Sequence, residues 1–327
     1  MSRLDDLGEV KRASVTVLVD NRADLLVKSS DAVKRFTKRP LLAEHGFAAL
    51  IELEGGVRVL WDAGITQIAL LENMKQMEID PRKIDKIALS HGHGDHTAAV
   101  TEVLRAVGGQ PEARKWDKDT PLAEVDAWVK EHHVPLVAHP AVFRERWGVR
   151  RDGSRYGPNL PPPRAEWEAA GAEIILSEGP YKLGPGCATT GAVPRLSFEK
   201  AGTPSALRYR EGDALVRDYM EDDQALFINV RGKGLVVVAG CAHAGIVNTV
   251  KHAQEISGVD QVWAVLGGFH LASASDEDVQ RTIDELEKLE PTMVVPSHCT
   301  GFSAISQFAG RMPDQFVLGA VGTTYLF

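Results

Sequence analysis

Nine short runs of Val, Ile and Leu, each halted by a glycine or a polar cluster, constrain this chain more than any other feature. They lie at Val15 to Asp20, Ala48 to Leu53, Val57 to Asp62, Lys86 to Ser90, Pro135 to His139, Ala225 to Val230, Leu235 to Ala239, Val262 to Leu266 and Met293 to Pro296. Each reads as a strand that delivers a loop. Leu53-Glu54-Gly55-Gly56 and Arg231-Gly232-Lys233-Gly234 join successive runs with the glycines that tight turns require, so two hairpins are expected. Helical patterns fall between the runs, at Thr66 to Met77, His96 to Val107, Glu124 to His132, Ile246 to Ile256 and Asp276 to Leu289, the last with Ser275 as its N-cap. Mixed sheets covered by helices give a layered α/β fold. No linker separates two cores, and a single domain over 1–327 is expected, with loop insertions near 108–135, 148–163 and 195–222. Gly148 to Pro163, rich in Arg, Gly and Pro, and Gly202 to Gly212 read as loops or lids.

Composition narrows the partners. A net charge of -8 gives no basic stripe for a nucleic acid, so a small-molecule substrate is expected and an oligomer is possible. No apolar stretch approaches the roughly 18 residues of a membrane span. The first ten residues carry acids where an export signal carries a basic region, and three scattered cysteines make no disulfide framework. A cytoplasmic protein is the expectation.

Chemistry concentrates in Ser90-His91-Gly92-His93-Gly94-Asp95-His96, directly after an apolar strand. Three imidazoles and a carboxylate in six residues would each need a separate partner in a core, whereas a metal supplies a common one. His91 and His93 can grip one ion while Asp95 and His96 turn toward a second. Zinc suits these donors, with manganese or iron possible. Further histidines stand after later strands: His243 in Gly240-Cys241-Ala242-His243, His270 in Gly267-Gly268-Phe269-His270, and His298 in Ser297-His298-Cys299. His243 and His298 are expected as metal ligands and His270 as a catalytic residue beside Asp95. Cys241 is the better thiolate candidate than Cys299. Asp62, ending the second strand of the first hairpin, is expected to accept a hydrogen bond from a ligating histidine. His45 and His139 lie near the same edge. His132, His133 and His252 fall in helical, solvated contexts.

The run His-x-His-x-Asp-His at 91 to 96, with Asp62-Ala63-Gly64 and His298, resembles the ordered motifs of the metallo-β-lactamase superfamily. That resemblance implies a four-layer αββα sandwich of two similar halves, with the site at one edge. Thr16 to Asn21, Glu44 to Phe47, Gly240 to Gly245, Gly267 to Leu271 and His298 to Gly301 are similar to the branch named after 7,8-dihydropterin-6-methyl-4-(β-D-ribofuranosyl)aminobenzene-5'-phosphate synthase. Two departures stand out. The superfamily's histidine before the central strand of the second half falls at Thr189-Thr190-Gly191, and its bridging aspartate at Cys241, with His243 as the replacement for the missing histidine.

Metal-assisted hydrolysis of an ester-type bond (phosphoester, phosphodiester, lactone or thioester) is therefore expected, with Asp95 holding metal and orienting the attacking water. Arg195, Arg208 or Arg210 would hold a substrate anion. The alternatives are pterin-type synthase chemistry, implied by the resemblance alone, and a sensor whose metal site is closed. A redox di-iron role would need a flavin domain, and none is seen.

Overall fold

The computed structural model describes residues 4, 6–108, 116–200, 202 and 206–327. One sheet has eight strands, in the order Val33–Arg35, Thr323–Leu326, Ala13–Val19, Ala48–Leu53, Arg58–Trp61, Lys86–Ala88, Val134–Ala138 and Ala172–Leu176. A second has six, in the order Tyr181–Gly184, Cys187–Thr189, Ala225–Val230, Gly234–Ala239, Val262–Gly268 and Met293–Ser297. Each sheet begins antiparallel and turns parallel after its hairpin, at Arg58–Trp61 in the first and Gly234–Ala239 in the second. The glycine-rich hairpins at 53–56 and 231–234 are both present.

Nearly continuous apolar runs arise because both faces of each sheet are covered. Val15, Val17, Ala49, Ile51, Val59 and Trp61 point inward, where they meet Leu226, Ile228, Val236, Val238, Leu266 and Val295 of the second sheet. The alternate residues face outward. Leu18, Leu50, Leu60, Ile87 and Leu89 pack under helices Ala69–Gln76, Val100–Gly108 and Arg164–Ala169. Phe227, Val237, Val265 and Val294 pack under Ile246–Ser257, Asp276–Glu287 and Phe302–Arg311. Helix, sheet, sheet, helix is the expected four-layer αββα order. Ser275 caps its helix as read, accepting from Asp278 N at 3.1 Å.

Several expectations need correction. The segments at 148–163 and 202–212 are not plain loops: Arg146–Val149, Arg155–Asn159, Leu207–Glu211 and Ala214–Arg217 form a separate four-stranded antiparallel sheet. Its strands are mostly exposed, so burial gives them no apolar run to read, and cross-strand pairs and arginine-on-aromatic stacks hold them instead. Arg150 lies over Tyr156, Arg210 over Trp147 and Arg217 over Tyr219. Within the insertion near 108–135, residues 109–115 lie outside the described residues, as do 201 and 203–205 of the later insertion and the side chain of His132. His252 is buried rather than solvated, because its helix packs that face on the second sheet. The helix expected from His96 to Val107 is two, Gly94–Thr97 and Val100–Gly108. Among the described residues no helix is long and apolar enough to cross a membrane.

Candidate metal centre

The parallel strands of both sheets end at one edge, and there Asp62, His91, Cys241, His270 and His298 follow them. Four of these turns are held in left-handed backbone that L residues seldom adopt: Asp62, Ala242, His270 and His298 have φ of 60°, 53°, 47° and 47°. Such conformations persist where surroundings over-determine them, as sites do. Gly92 allows the ligand loop to close, since a Cβ there would lie 2.4 Å from Val142 O, and its N–H donates to Asp222 at 2.8 Å. The short helix Gly94–Thr97 then turns Asp95 and His96 back toward the sheets.

Two donor groups result. His91, His93 and His243 form one, and Asp95, His96, Cys241 and His298 the other; within each, one ligand atom per residue lies within 4.8 Å of the rest. Sequence reasoning named all seven. Four of the rings share one arrangement. His96 Nδ1 donates to Asp62 at 2.7 Å, His243 Nδ1 to the carbonyl of Gly202 at 2.5 Å and His298 Nδ1 to Asn21 Oδ1 at 3.1 Å. Ser90 Oγ spends its proton on Asp62 at 2.7 Å and accepts from His91 Nδ1 at 2.9 Å. A neutral imidazole that donates from Nδ1 presents a lone pair at Nε2, the form that binds metal; His91, His243 and His298 are in that form, and His96 reaches it on losing its second proton.

The inward atoms then face one another without protons to share. His91 Nε2 and His243 Nε2 are 3.2 Å apart, and His298 Nε2, buried and 3.4 Å from Asp95 Oδ2, makes no hydrogen bond. Buried acceptors facing acceptors are costly unless a cation lies between them. The donor set therefore fits a metal on its own chemistry.

Electrostatics point the same way. Burial and neighbouring histidines hold His91 and His243 well below the usual imidazole range, and burial with Arg146 nearby takes His93 to about 4. Burial likewise holds His298 at about 4. These four rings are neutral at pH 7 and need shed no proton to bind a cation. His96 goes the other way: burial opposes its charge, but Asp62 and Asp95 outweigh burial and raise it to about 9. Burial would raise Asp95, yet His96 and His298 hold it well below the carboxylate range. Burial pushes the Cys241 thiol up, 3.1 Å from His96 Nε2.

His270 stands outside both donor groups. Its ring packs 4.3 Å from that of His243 and its Nδ1 is buried without a partner. His45 is at the mouth, with Nε2 3.5 Å from Asp95 Oδ2 and a side chain 63% exposed. His139 is buried and accepts from Ala141 N at 3.1 Å. Cys299 Sγ contacts the carbonyl of Cys241 at 3.6 Å. A cavity of about 490 Å³ opens over His93 and Asp95, walled by His45, Arg144, Arg146 and Leu160. The arginines singled out for a substrate anion do not line it: Arg195 donates to the carbonyls of His243 and Tyr219, Arg208 to that of Leu207, and Arg210 pairs with Glu145.

Of the side chains that hold the ligands, sequence reasoning named Asp62, which accepts from His96, and missed Asn21 and Asp20. Asn21 donates to His45 Nδ1 and His298 O and accepts from Gly46 N, while Asp20 accepts the N–H of His298 at 3.0 Å. Both lie in the segment Thr16 to Asn21 that carried the resemblance, but nothing in that segment says what it touches. Gly240 is as tightly placed, since a Cβ there would fall 2.1 Å from Ser90 Oγ and 2.8 Å from Asp62 Oδ2. Gly240→Ala is expected to cost about 1–3 kcal/mol by overpacking. Urea unfolding measures that loss, and metal titration should weaken with it because Asp62 positions His96; a variant unchanged in both would refute the tight placement.

The model of the Metallo-beta-lactamase superfamily matches residues 42–202. A protein of Methanocaldococcus jannaschii named 7,8-dihydropterin-6-methyl-4-(beta-D-ribofuranosyl)-aminobenzene-5'-phosphate synthase is 33% identical over 85% of this chain and 88% of its own. An uncharacterized protein of the same organism is 30% identical over 94% of this chain and 98% of its own. Among solved structures, Tm1679, described as a metal-dependent hydrolase of the beta-lactamase superfamily, superposes with a TM-score of 0.67 at 20% identity, covering 95% of this chain and 98% of that one. With a full-length relative at this identity and two sandwiched sheets that bring the histidines to one edge, the chain belongs to the metallo-β-lactamase superfamily.

Proposed function

We propose that this chain is a metal-dependent hydrolase of an ester-type bond in a small molecule, the bond being a phosphoester, phosphodiester, lactone or thioester. The observation that carries it is the pair of adjoining donor groups beneath a cavity in which His93 and Asp95 line the floor. His91, His93 and His243 would hold one ion, and Asp95, His96, His298 and Cys241 a second. Zinc is the proposed metal: imidazole suits zinc, iron and manganese less equally once a thiol joins, since soft sulfur selects zinc or iron. Bound there, a divalent ion supplies Lewis acidity, polarising a substrate oxygen and lowering the pKa of water toward about 7.

The chain's own residues do the rest. Asp95, its side chain 17% exposed, faces the cavity with a carboxylate that stays ionised, and so can orient an attacking water by accepting its hydrogen bond. Asp62, Ser90, Asn21 and the carbonyl of Gly202 fix the rings, so no reorganisation is needed when substrate binds. His270, its ring 4.3 Å from that of His243, would orient substrate.

A second reading is favoured by one observation, the synthase name of the 33% identical relative. One experiment separates the two. Metal content of the purified protein is measured, then turnover of phosphodiester, lactone, thioester and β-lactam substrates before and after chelation. One to two equivalents of metal, with turnover abolished by chelation and restored by zinc, is the expected result. Metal-free protein would refute the reading, and fully metallated protein silent on every substrate would turn it toward the synthase, for which pterin binding is the next measurement.

A further inference from the structure

A second cavity, about 550 Å³, borders the centre at His298. Asp20, Arg22 and Ser297 line it together with Phe302, Ile305 and Leu318. Asn21 and His298 also line this cavity, and their contact partners His45 and Asp95 line the other. This volume falls in the range of small-molecule sites, roughly 300–1,000 Å³.

Among the arginines lining these two cavities, Arg144 is paired with Glu221 and Arg146 with Asp218 and Asp222. Arg22 is the exception. Its backbone carbonyl accepts from Val321 N, but among the described residues its half-buried guanidinium makes no hydrogen bond and no ion pair. The neighbouring carboxylate, Asp20, also lines the cavity; its Oδ1 accepts the N–H groups of Asn21 and His298, burial pushes it up to about 6, and Arg22 acts on it through charge without a bonded contact. Ser297, buried yet lining the cavity, also has no hydrogen bond through its hydroxyl. Gly319 keeps the wall open there, since a Cβ would lie 2.8 Å from the Cβ of Ser297. Phe302, lining the same cavity, is 76% exposed. An exposed aromatic, a guanidinium without a bonded partner and a hydroxyl without a hydrogen bond give one cavity both an apolar and a polar part.

We infer that this cavity is a binding subsite for an anionic group carried on an apolar body, with Arg22 and Ser297 holding the anion and Phe302, Ile305 and Leu318 the body. The inference deepens the reading above, because it treats the two cavities as lobes of one substrate site. Arg22 is then a specificity residue: its planar fork matches a carboxylate or a phosphate in two parallel hydrogen bonds.

Binding of three probes to the metal-loaded protein tests it by fluorine NMR: 4-fluorophenylacetate, 4-fluorobenzylphosphonate and the neutral 4-fluorophenylacetamide. Wild type should prefer the anions, and the stronger of the two identifies the head group. Arg22→Gln should weaken both anions about tenfold, the worth of one charge-assisted contact, and leave the amide within about twofold. Arg22→Lys should recover part of the loss, and Phe302→Ala should weaken all three. Among the described residues the Arg22 side chain makes no hydrogen bond and no ion pair, so the melting temperature should not move, and a misfolded variant would be recognised at once. Anion affinity unchanged in Arg22→Gln, or an amide that binds as tightly as the acids, would overturn the subsite; so would binding that vanishes only in a His91→Ala, His93→Ala variant, which would place the anion on the metal. Arg22-dependent binding in a protein without turnover would keep the subsite and count against the hydrolase alone.

Discussion

A His91→Ala, His93→Ala variant is expected to lose at least one equivalent of metal and to fall about a thousandfold in turnover, on the reasoning that Lewis-acid assistance contributes several kcal/mol and about 4 kcal/mol is three decades of rate. The companion expectation concerns stability, and it separates a metal site from a histidine-rich core. In the metal-free protein His91 Nε2 and His243 Nε2 stand 3.2 Å apart as acceptors, so removing His91 relieves a repulsion while it costs the bond to Ser90. The metal-free variant should therefore unfold close to the metal-free wild type. Wild type loaded with metal should be more stable than either, by about 4 kcal/mol when the free ion is at a thousand times its dissociation constant. Thermal unfolding of the four samples checks this. If the variant is destabilised by the same amount with and without metal, these rings are packing groups and the centre is misread.

Strand ends and metal-ligand spacing made much of the centre legible in the sequence. An apolar run followed by histidine occurs at His91, His139, His243, His270 and His298, and three of those five fall in the two donor groups because parallel strands must end at a common edge. His270 shows the limit of that argument: the same pattern placed it at the edge but not among the ligands. What stayed hidden depends on partners far away in sequence. The acceptor that orients His243 is a backbone carbonyl, Gly202 O, which no residue type announces, and Asn21 reaches His298 across 277 positions.

Charge misled more than hydrophobicity did. Arg195, Arg208 and Arg210 look available in a polar stretch, but Arg208 and Arg210 fall in a small sheet that uses cations internally, as with Arg210 against Glu145 and Trp147, and Arg195 donates to two backbone carbonyls. Arg22 stands two residues from Asp20 in sequence, yet Asp20 turns its Oδ1 to two backbone N–H groups. The exposed strands at 155–159 and 214–217 could not be read from apolar periodicity because the burial that creates periodicity is missing there.

Arg146 carries the second large effect. It is 3% exposed, and its guanidinium bridges Asp218 at 2.8 Å and Asp222 at 2.6 Å, both of them fully buried. Arg146→Met removes the cation and leaves two carboxylates in a dry interior, a change expected to cost about 3–5 kcal/mol. It reaches the metal as well, since Asp222 also accepts the N–H of Gly92 between His91 and His93. Arg146→Lys keeps the charge but not the fork that spans two carboxylates, and should recover only part of the loss. The informative variant is the triple replacement Arg146→Met, Asp218→Leu, Asp222→Leu, because a buried ion network exchanged whole for apolar side chains is often close to neutral in stability. Urea unfolding should show stability largely regained, while metal titration should show affinity still reduced, Gly92 having lost its acceptor. Stability and affinity returning together would mean that the Gly92 loop is held by its own backbone, and that Arg146 and its two aspartates serve the fold alone.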